Sequence, residues 1–125
     1  MICDNTFATP INCRPFEFGV DIVTHSTTKY MDGHAMALGG AIVDSGNFDW
    51  DAHADKFPGL TTPDESYHGV IYTQKFGKKA YITKATAQLM RDMGACQSPQ
   101  NAFLTNVGLE TLHLRVERHC SCLLY

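Results

Sequence analysis

The chain has 125 residues, of which 44% are hydrophobic and 18% charged, with a formal net charge of −3. That length supports one domain with a real core and is short for two, and the balance is that of a globular chain. The acidic balance gives no footing for nucleic acid or an anionic membrane surface, no apolar run approaches the roughly 20 residues of a membrane span, and no signal peptide opens the chain, so a cytoplasmic protein is expected.

Met1-Ile2-Cys3 is apolar and leads straight into Asp4, as the inside of a strand would. Gly19-Val-Asp-Ile-Val-Thr24 carries β-branched residues at Val20, Ile22 and Val23, which predicts a strand over 20–24 buried on both faces. Thr27 to Ala37 is too polar and glycine-containing for either element. Leu38 to Val43 predicts a second buried strand, closed by the Asp44-Ser-Gly-Asn47 turn cluster. Residues 45–66, with Pro58-Gly59 and Pro63, read as a long loop of the kind that is often functional.

The second half is helical. Ile82, Ala85, Leu89 and Met93 recur at three- and four-residue spacing, predicting a helix over 79–93 that stops at Gly94. Ser98-Pro99 reads as an N-cap and first-turn proline, opening a helix through Phe103 and Leu104. A last helix is expected from about Glu110 toward Cys120, meeting Leu123-Leu-Tyr125 without a stop signal. Both ends therefore read as cut within a larger domain. Strands interleaved with helices predict an α/β layer architecture.

Five cysteines (Cys3, Cys13, Cys96, Cys120 and Cys122) lack paired zinc-site spacing and read as reduced thiols. Asp49, Asp51, His53 and Asp55 read as a solvated acidic loop, and His113 and His119 do not share a helix face, so no metal site is expected.

Asp4 and Lys29 carry the chemistry. If a strand ends at Asp4, residues 5–19 are long enough for a crossover to a parallel partner over 20–24. His25 to Lys29 then leave the same sheet edge, the edge where open α/β sheets bind ligands. A carboxylate can keep a pyridine nitrogen protonated, and a lysine can join an aldehyde carbon and later serve as a base. Ser26 and Thr28, two apart, share one side if the backbone is extended and can donate to a phosphate. By themselves these residues also fit an ordinary solvated loop.

Asp4-Asn-Thr-Phe-Ala-Thr-Pro10 and His25-Ser-Thr-Thr-Lys-Tyr30 resemble, in order and separation, two signature segments of the Cys/Met-metabolism enzymes that depend on pyridoxal 5′-phosphate (PLP). The likeness continues through Gly39-Gly40, Phe57-Pro-Gly-Leu60, Tyr67-His-Gly69, Ala80-Tyr-Ile-Thr-Lys84, Asn101-Ala-Phe-Leu104, Gly108-Leu-Glu-Thr-Leu112 and Arg115-Val-Glu-Arg-His119. It implies a central piece, residues 1–125, of the large PLP-binding domain of fold type I, a mostly parallel sheet flanked by helices. It also implies that Lys29 carries PLP, that Asp4 faces the pyridinium, and that Ser26 and Thr28 face the phosphate.

Phe57 to Ala95 is most similar to the O-acetylhomoserine sulfhydrylase branch. This implies a transferase of methionine biosynthesis in which sulfide replaces acetate at the γ-carbon, giving homocysteine, in a homodimer or homotetramer. Methionine γ-lyase and cystathionine γ-synthase chemistry are the close alternatives; an inactive remnant and a non-enzymatic packing module are the distant ones. The family's glycine-rich phosphate loop, stacking aromatic and carboxylate-binding arginine fall outside these residues, so the 125-residue chain alone is expected to be inactive.

Two residues depart from the family pattern, Asp32 and Ala35, where glycines are usual. Asp32 is expected to strain a left-handed position, repel phosphate, or turn to solvent. His25 and His34 read as structural hydrogen-bonding groups, and Tyr30 and Tyr67 as packing residues. Arg14, Arg91, Arg115 and Arg118 read as solvated or salt-bridged.

Overall fold

The computed structural model describes residues 1–122; residues 123–125, which the last helix is expected to meet without a stop signal, lie outside the described residues. The architecture is α/β, as expected. Three strands, β1 (Ile2–Asp4), β2 (Ile22–Ser26) and β3 (Gly40–Asp44), form one sheet in that order. Helical segments follow in chain order as α1 (Thr9–Asn12), α2 (Pro58–Thr61), α3 (Tyr72–Phe76), α4 (Ala80–Lys84), α5 (Arg91–Met93), α6 (Pro99–Glu110) and α7 (Leu112–Cys122). They divide into two compact units, Met1–Ile42 with Gln97–Tyr125, and Val43–Cys96.

In the first unit β1 runs parallel to β2, pairing Ile2 with Ile22, Cys3 with Val23 and Asp4 with Thr24. The crossover contains α1 and a 3-10 turn, Pro15–Phe18, which ends on Gly19 at φ 81°. That left-handed conformation suits a residue without Cβ. β2 lies between its two neighbours and buries Ile22 and Val23, as its β-branched pattern predicts. β3 does not meet the same expectation: Ile42 and Val43 remain 47% and 43% exposed. Its place at the sheet edge gives it one strand neighbour where β2 has two.

Among the described residues of this unit, Val20, Ile22, Val23, Ala37, Leu112 and Val116 are the buried apolar ones. Leu112 and Val116, one helical turn apart, form the inward stripe of α7. The Ser98 hydroxyl accepts from the Asn101 amide at 3.1 Å and Pro99 occupies the first turn, so α6 begins where its capping sequence predicts.

In the second unit, the stretch expected to be a loop is punctuated by helical turns: Asp51–His53, α2, and Glu65–Tyr67. Pro58, read as a loop residue, opens α2, where a missing N–H costs nothing. Leu60, Tyr72 and Ala80 form the core, with Trp50, Tyr67, Phe76 and Tyr81 packed on it. The predicted 79–93 helix is observed as α4, a π-helical stretch Ala85–Met90, and α5, ending at Gly94 with φ 70°. Lys84 Nζ donates to Asp64 Oδ2 at 2.6 Å and lies 4.7 Å from the Tyr72 ring centre.

Candidate active site

Asp4 is the last residue of β1, and its carboxylate is organised locally. Both the Thr6 amide, at 3.0 Å, and the Thr6 hydroxyl, at 2.5 Å, donate to Oδ1. These bonds hold the Asp4 carboxyl below the usual carboxylate range, against the opposing effect of desolvation. The Thr6 hydroxyl oxygen also accepts from the Ser26 amide at 2.8 Å. One buried threonine therefore joins the end of β1 to the end of β2. Sequence reasoning missed it, although Asp-x-Thr is the spacing of a side-chain-to-backbone turn.

Beyond Ser26 the chain turns. The Lys29 amide donates to Ser26 O at 3.3 Å, Asp32 N to Thr27 O at 2.9 Å, and Gly33 N to Lys29 O at 2.8 Å. The extended backbone that would align the Ser26 and Thr28 hydroxyls is therefore not present. Thr28 Oγ1 instead donates to Gly39 O at 3.3 Å and accepts from Gly39 N at 3.1 Å, fastening the lysine turn to the approach of β3. Lys29 itself is exposed.

Asp32 takes none of its expected roles in strain or solvation. It is fully buried, and its Oδ2 accepts from the amides of His34 at 3.2 Å and Met36 at 3.0 Å. Burial pushes its carboxyl upward, but bonding from the Met36, His34 and Ala37 amides outweighs that and holds it below the usual range. The strained position is the other departure: Ala35 has φ 57°.

Arg115 is half-buried and makes no ion pair among the described residues, bonding backbone carbonyls instead. Its guanidinium donates to Tyr30 O at 2.7 Å, Gly108 O at 2.7 Å and the Thr111 hydroxyl at 3.1 Å. Planar donors arranged as a fork suit two carbonyls at once. Arg14 pairs with Glu17 and Arg91 with Asp92, both at the surface.

A cavity of about 660 Å³ opens beside the lysine turn. Thr28, Lys29, Tyr30, Met36 and Arg115 are among its walls, whereas Asp4 and Ser26 are not. Tyr30 packs edge-on to both Phe7 and His119. Tyr67, in the second unit, stacks on Tyr72. His34 Nδ1 lies 2.7 Å from Asp32 O, a structural role as expected. His25 is buried, which depresses its pKa despite the nearby Asp4, and its Nδ1 has no hydrogen-bond partner among the described residues. Cys3, Cys13, Cys120 and Cys122 are in no disulfide among the described residues, and no three potential metal ligands converge among them. Asp49 caps the Asp51–His53 turn by accepting from Ala52 N at 3.0 Å, and His53 stacks on Phe48. No helix of the described residues is long and apolar enough to cross a membrane.

The donor set fits PLP. An acid kept ionised by two hydrogen bonds stands at the end of one strand, and a primary amine follows its parallel partner. The half-buried Ser26 lies between them in sequence, at the end of β2. Such an acid suits a protonated ring nitrogen, and such an amine suits an aldehyde.

Residues 1–122 match the model of the Cys/Met metabolism PLP-dependent enzymes. The chain is 48% identical over 120 residues to homocysteine/cysteine synthase of Saccharomyces cerevisiae, covering 95% of this chain and 27% of that protein. It is 44% identical over 120 residues to O-acetyl-L-homoserine sulfhydrylase 1 of Thermus thermophilus, covering 95% and 28%. The crystal structure of an O-acetylhomoserine (thiol)-lyase from Campylobacter jejuni, which contains N′-pyridoxyl-lysine-5′-monophosphate, superimposes with a TM-score of 0.83 at 41% identity. That likeness covers 94% of this chain and 29% of the other. A methionine γ-lyase of Micromonospora echinospora is less similar, at 31% identity and a TM-score of 0.53, over 90% of this chain and 22% of that one. The chain spans about 28% of the length of the curated relatives it matches. A family match over residues 1–122, on a fold that brings Asp4 and the Lys29 turn to one end of a parallel strand pair, shows that the chain belongs to the Cys/Met-metabolism family of PLP-dependent enzymes.

Proposed function

We propose that this chain is the lysine-bearing part of an O-acetylhomoserine sulfhydrylase, which replaces the acetate of O-acetylhomoserine with sulfide to give homocysteine. The observation that carries the reading is the parallel pairing of β1 and β2. It registers Asp4 against Thr24 and sends the Lys29 turn off the same end of the sheet. The relatives named as homocysteine synthases and O-acetylhomoserine sulfhydrylases support the substrate, and their higher identity than the γ-lyase favours replacement over elimination.

When bound, PLP supplies an electron sink for negative charge developing at the substrate carbon beside the amino group. Asp4 would hold a proton on the ring nitrogen, a role served by the Thr6 bonds that keep its carboxylate ionised. Lys29 Nζ would attach the cofactor and, once released by substrate, carry protons between neighbouring carbons. Ser26 and Thr28 would contribute on the phosphate side, and Thr28 would then share its hydroxyl with Gly39. The cytoplasmic homo-oligomer implied by the resemblance belongs to the same reading.

The test uses the full-length protein. Borohydride reduction with PLP, followed by peptide mapping, is expected to leave pyridoxyl mass on Lys29. Purified enzyme is expected to make homocysteine from O-acetylhomoserine and sulfide, and Lys29→Ala to abolish this. Label on Lys84 would sink the assignment of the lysine, and methionine cleavage without γ-replacement would move the enzyme to the γ-lyase branch.

A further inference from the structure

A fully buried carboxylate is costly unless it is paired or well hydrogen-bonded. No cationic side chain makes an ion pair with Asp32 among the described residues. Its Oδ2 accepts from backbone N–H groups of its own loop, those of His34 and Met36, while Oδ1 is buried without a hydrogen-bond partner among the described residues. Backbone amides turned inward on one anion make a compact cradle for it, and here the anion is supplied by the residue at the head of the loop.

That bonding closes the segment after Lys29 on itself. Asp32 N is bonded to Thr27 O and Gly33 N to Lys29 O, so the carboxylate and these amides lock both sides of the same turn. The residues gathered by Asp32 are also cavity wall, for Gly33, Ala35, Met36 and Ala37 face the space that Lys29 enters. On the other side the turn rests on α6 and α7. A Cβ on Gly108 would lie 2.3 Å from Asp32 O and 2.4 Å from Met31 O, and Arg115 holds Tyr30 O. The helices hold the front of the turn and the Thr28–Gly39 bonds tie it to the approach of β3; the Asp32 side chain holds the 33–37 segment between them.

We propose that Asp32 is a positioning residue, which acts through the 33–37 segment to set the Lys29 amine and the cavity wall facing it. This rests on reading Lys29 as the cofactor-bearing amine. A purely structural Asp32 would raise the melting point of the protein without altering how Lys29 reacts.

The experiment compares full-length wild type, Asp32→Gly and Asp32→Asn. In wild type, hydrogen exchange should find the His34 and Met36 amides protected. In Asp32→Gly those amides should exchange at least about tenfold faster, because the acceptor is gone. Added PLP followed by borohydride should label Lys29 about tenfold more slowly in folded Asp32→Gly, with Asp32→Asn, which retains an acceptor oxygen, within about threefold of wild type. Unchanged Lys29 labelling in folded Asp32→Gly overturns the proposal. Unprotected His34 and Met36 amides in wild type overturn it as well, including where Asp32→Gly does not fold. Wild-type label that avoids Lys29 overturns the reading of the lysine, an outcome distinct from normal Lys29 labelling that ignores Asp32.

Discussion

The Thr6 hydroxyl donates to Asp4 Oδ1 at 2.5 Å while its oxygen accepts the Ser26 amide at 2.8 Å. The state of the acid on β1 is thereby tied to the point where β2 releases the lysine turn. Thr6→Val keeps the branched shape but removes both bonds. The Asp4 carboxyl then rises toward its ordinary range, since the Thr6 side chain is the largest cause of its depression. Turnover of the full-length enzyme should fall about tenfold, with the acid limb of its pH profile moving to higher pH because Asp4 protonates sooner. Thr6→Ser should stay near wild type. An unmoved acid limb in Thr6→Val would detach Thr6 from the function of Asp4.

Asp64 makes stability depend on acidity. Donation from Lys84 and from Ser66 holds its carboxyl at about 2, and the pair is mostly buried, with side chains 19% and 13% exposed. The folded value lies below the ordinary 3.8, so the contribution is complete above that value and is lost as pH falls through about 2. Urea unfolding of the full-length protein should show a falling midpoint across that window. Lys84→Gln should flatten the decline, because the largest cause of the depression is gone. Parallel declines in both proteins would mean that other carboxylates dominate.

Signals confined to a few neighbouring residues were legible in the sequence. Ser98-Pro99 caps α6, Gly94 takes a left-handed φ, and Val20, Ile22 and Val23 end up buried in and beside the central strand. Asp4 and Lys29 were placed correctly relative to the sheet because a parallel pair needs a crossover and one was available. What escaped was set by distant partners. Arg115 meets the Tyr30 carbonyl across 85 residues, and nothing near either residue announces it. The short helical turns of residues 51–67 depend on packing around Leu60 and Tyr72, since single turns are not stable alone. The shared side for Ser26 and Thr28 failed because β2 stops at Ser26 and alternation stops with it. Asp32 was misjudged because a carboxylate in a loop is ordinarily solvated, and only the fold shows amides converging on it.

Gly108 is a contact point for the lysine turn. Because the neighbours of an added Cβ are backbone carbonyls, at 2.3 and 2.4 Å, they cannot swing aside as a side chain would. Gly108→Ala should therefore destabilise the full-length protein by about 1–3 kcal/mol, the usual cost of overpacking. The displaced turn should also slow pyridoxyl labelling of Lys29. Thermal denaturation and the labelling rate check the two effects, and a wild-type melting point would show that α6 can move away freely.

Ala35 offers the opposite test, a substitution expected to stabilise. Its φ of 57° places a Cβ where L-residues are strained, at a cost of about 1–2 kcal/mol. Glycine removes that strain but brings more freedom to the unfolded chain, worth about 0.5–1 kcal/mol in the other direction. The Ala35 methyl is exposed, so little packing is lost with it. The balance favours Ala35→Gly by about 0.5–1 kcal/mol, seen as a melting point a few degrees higher. Ala35→Val should fall on the other side of wild type, because a β-branched side chain tolerates this conformation worse than alanine. Lys29 labelling should be unchanged in Ala35→Gly, since the Asp32 bonds to the His34 and Met36 amides do not involve the methyl. A lower melting point for Ala35→Gly would mean that the methyl holds the cavity wall in place, and that the left-handed strain at this turn is offset by contacts it makes.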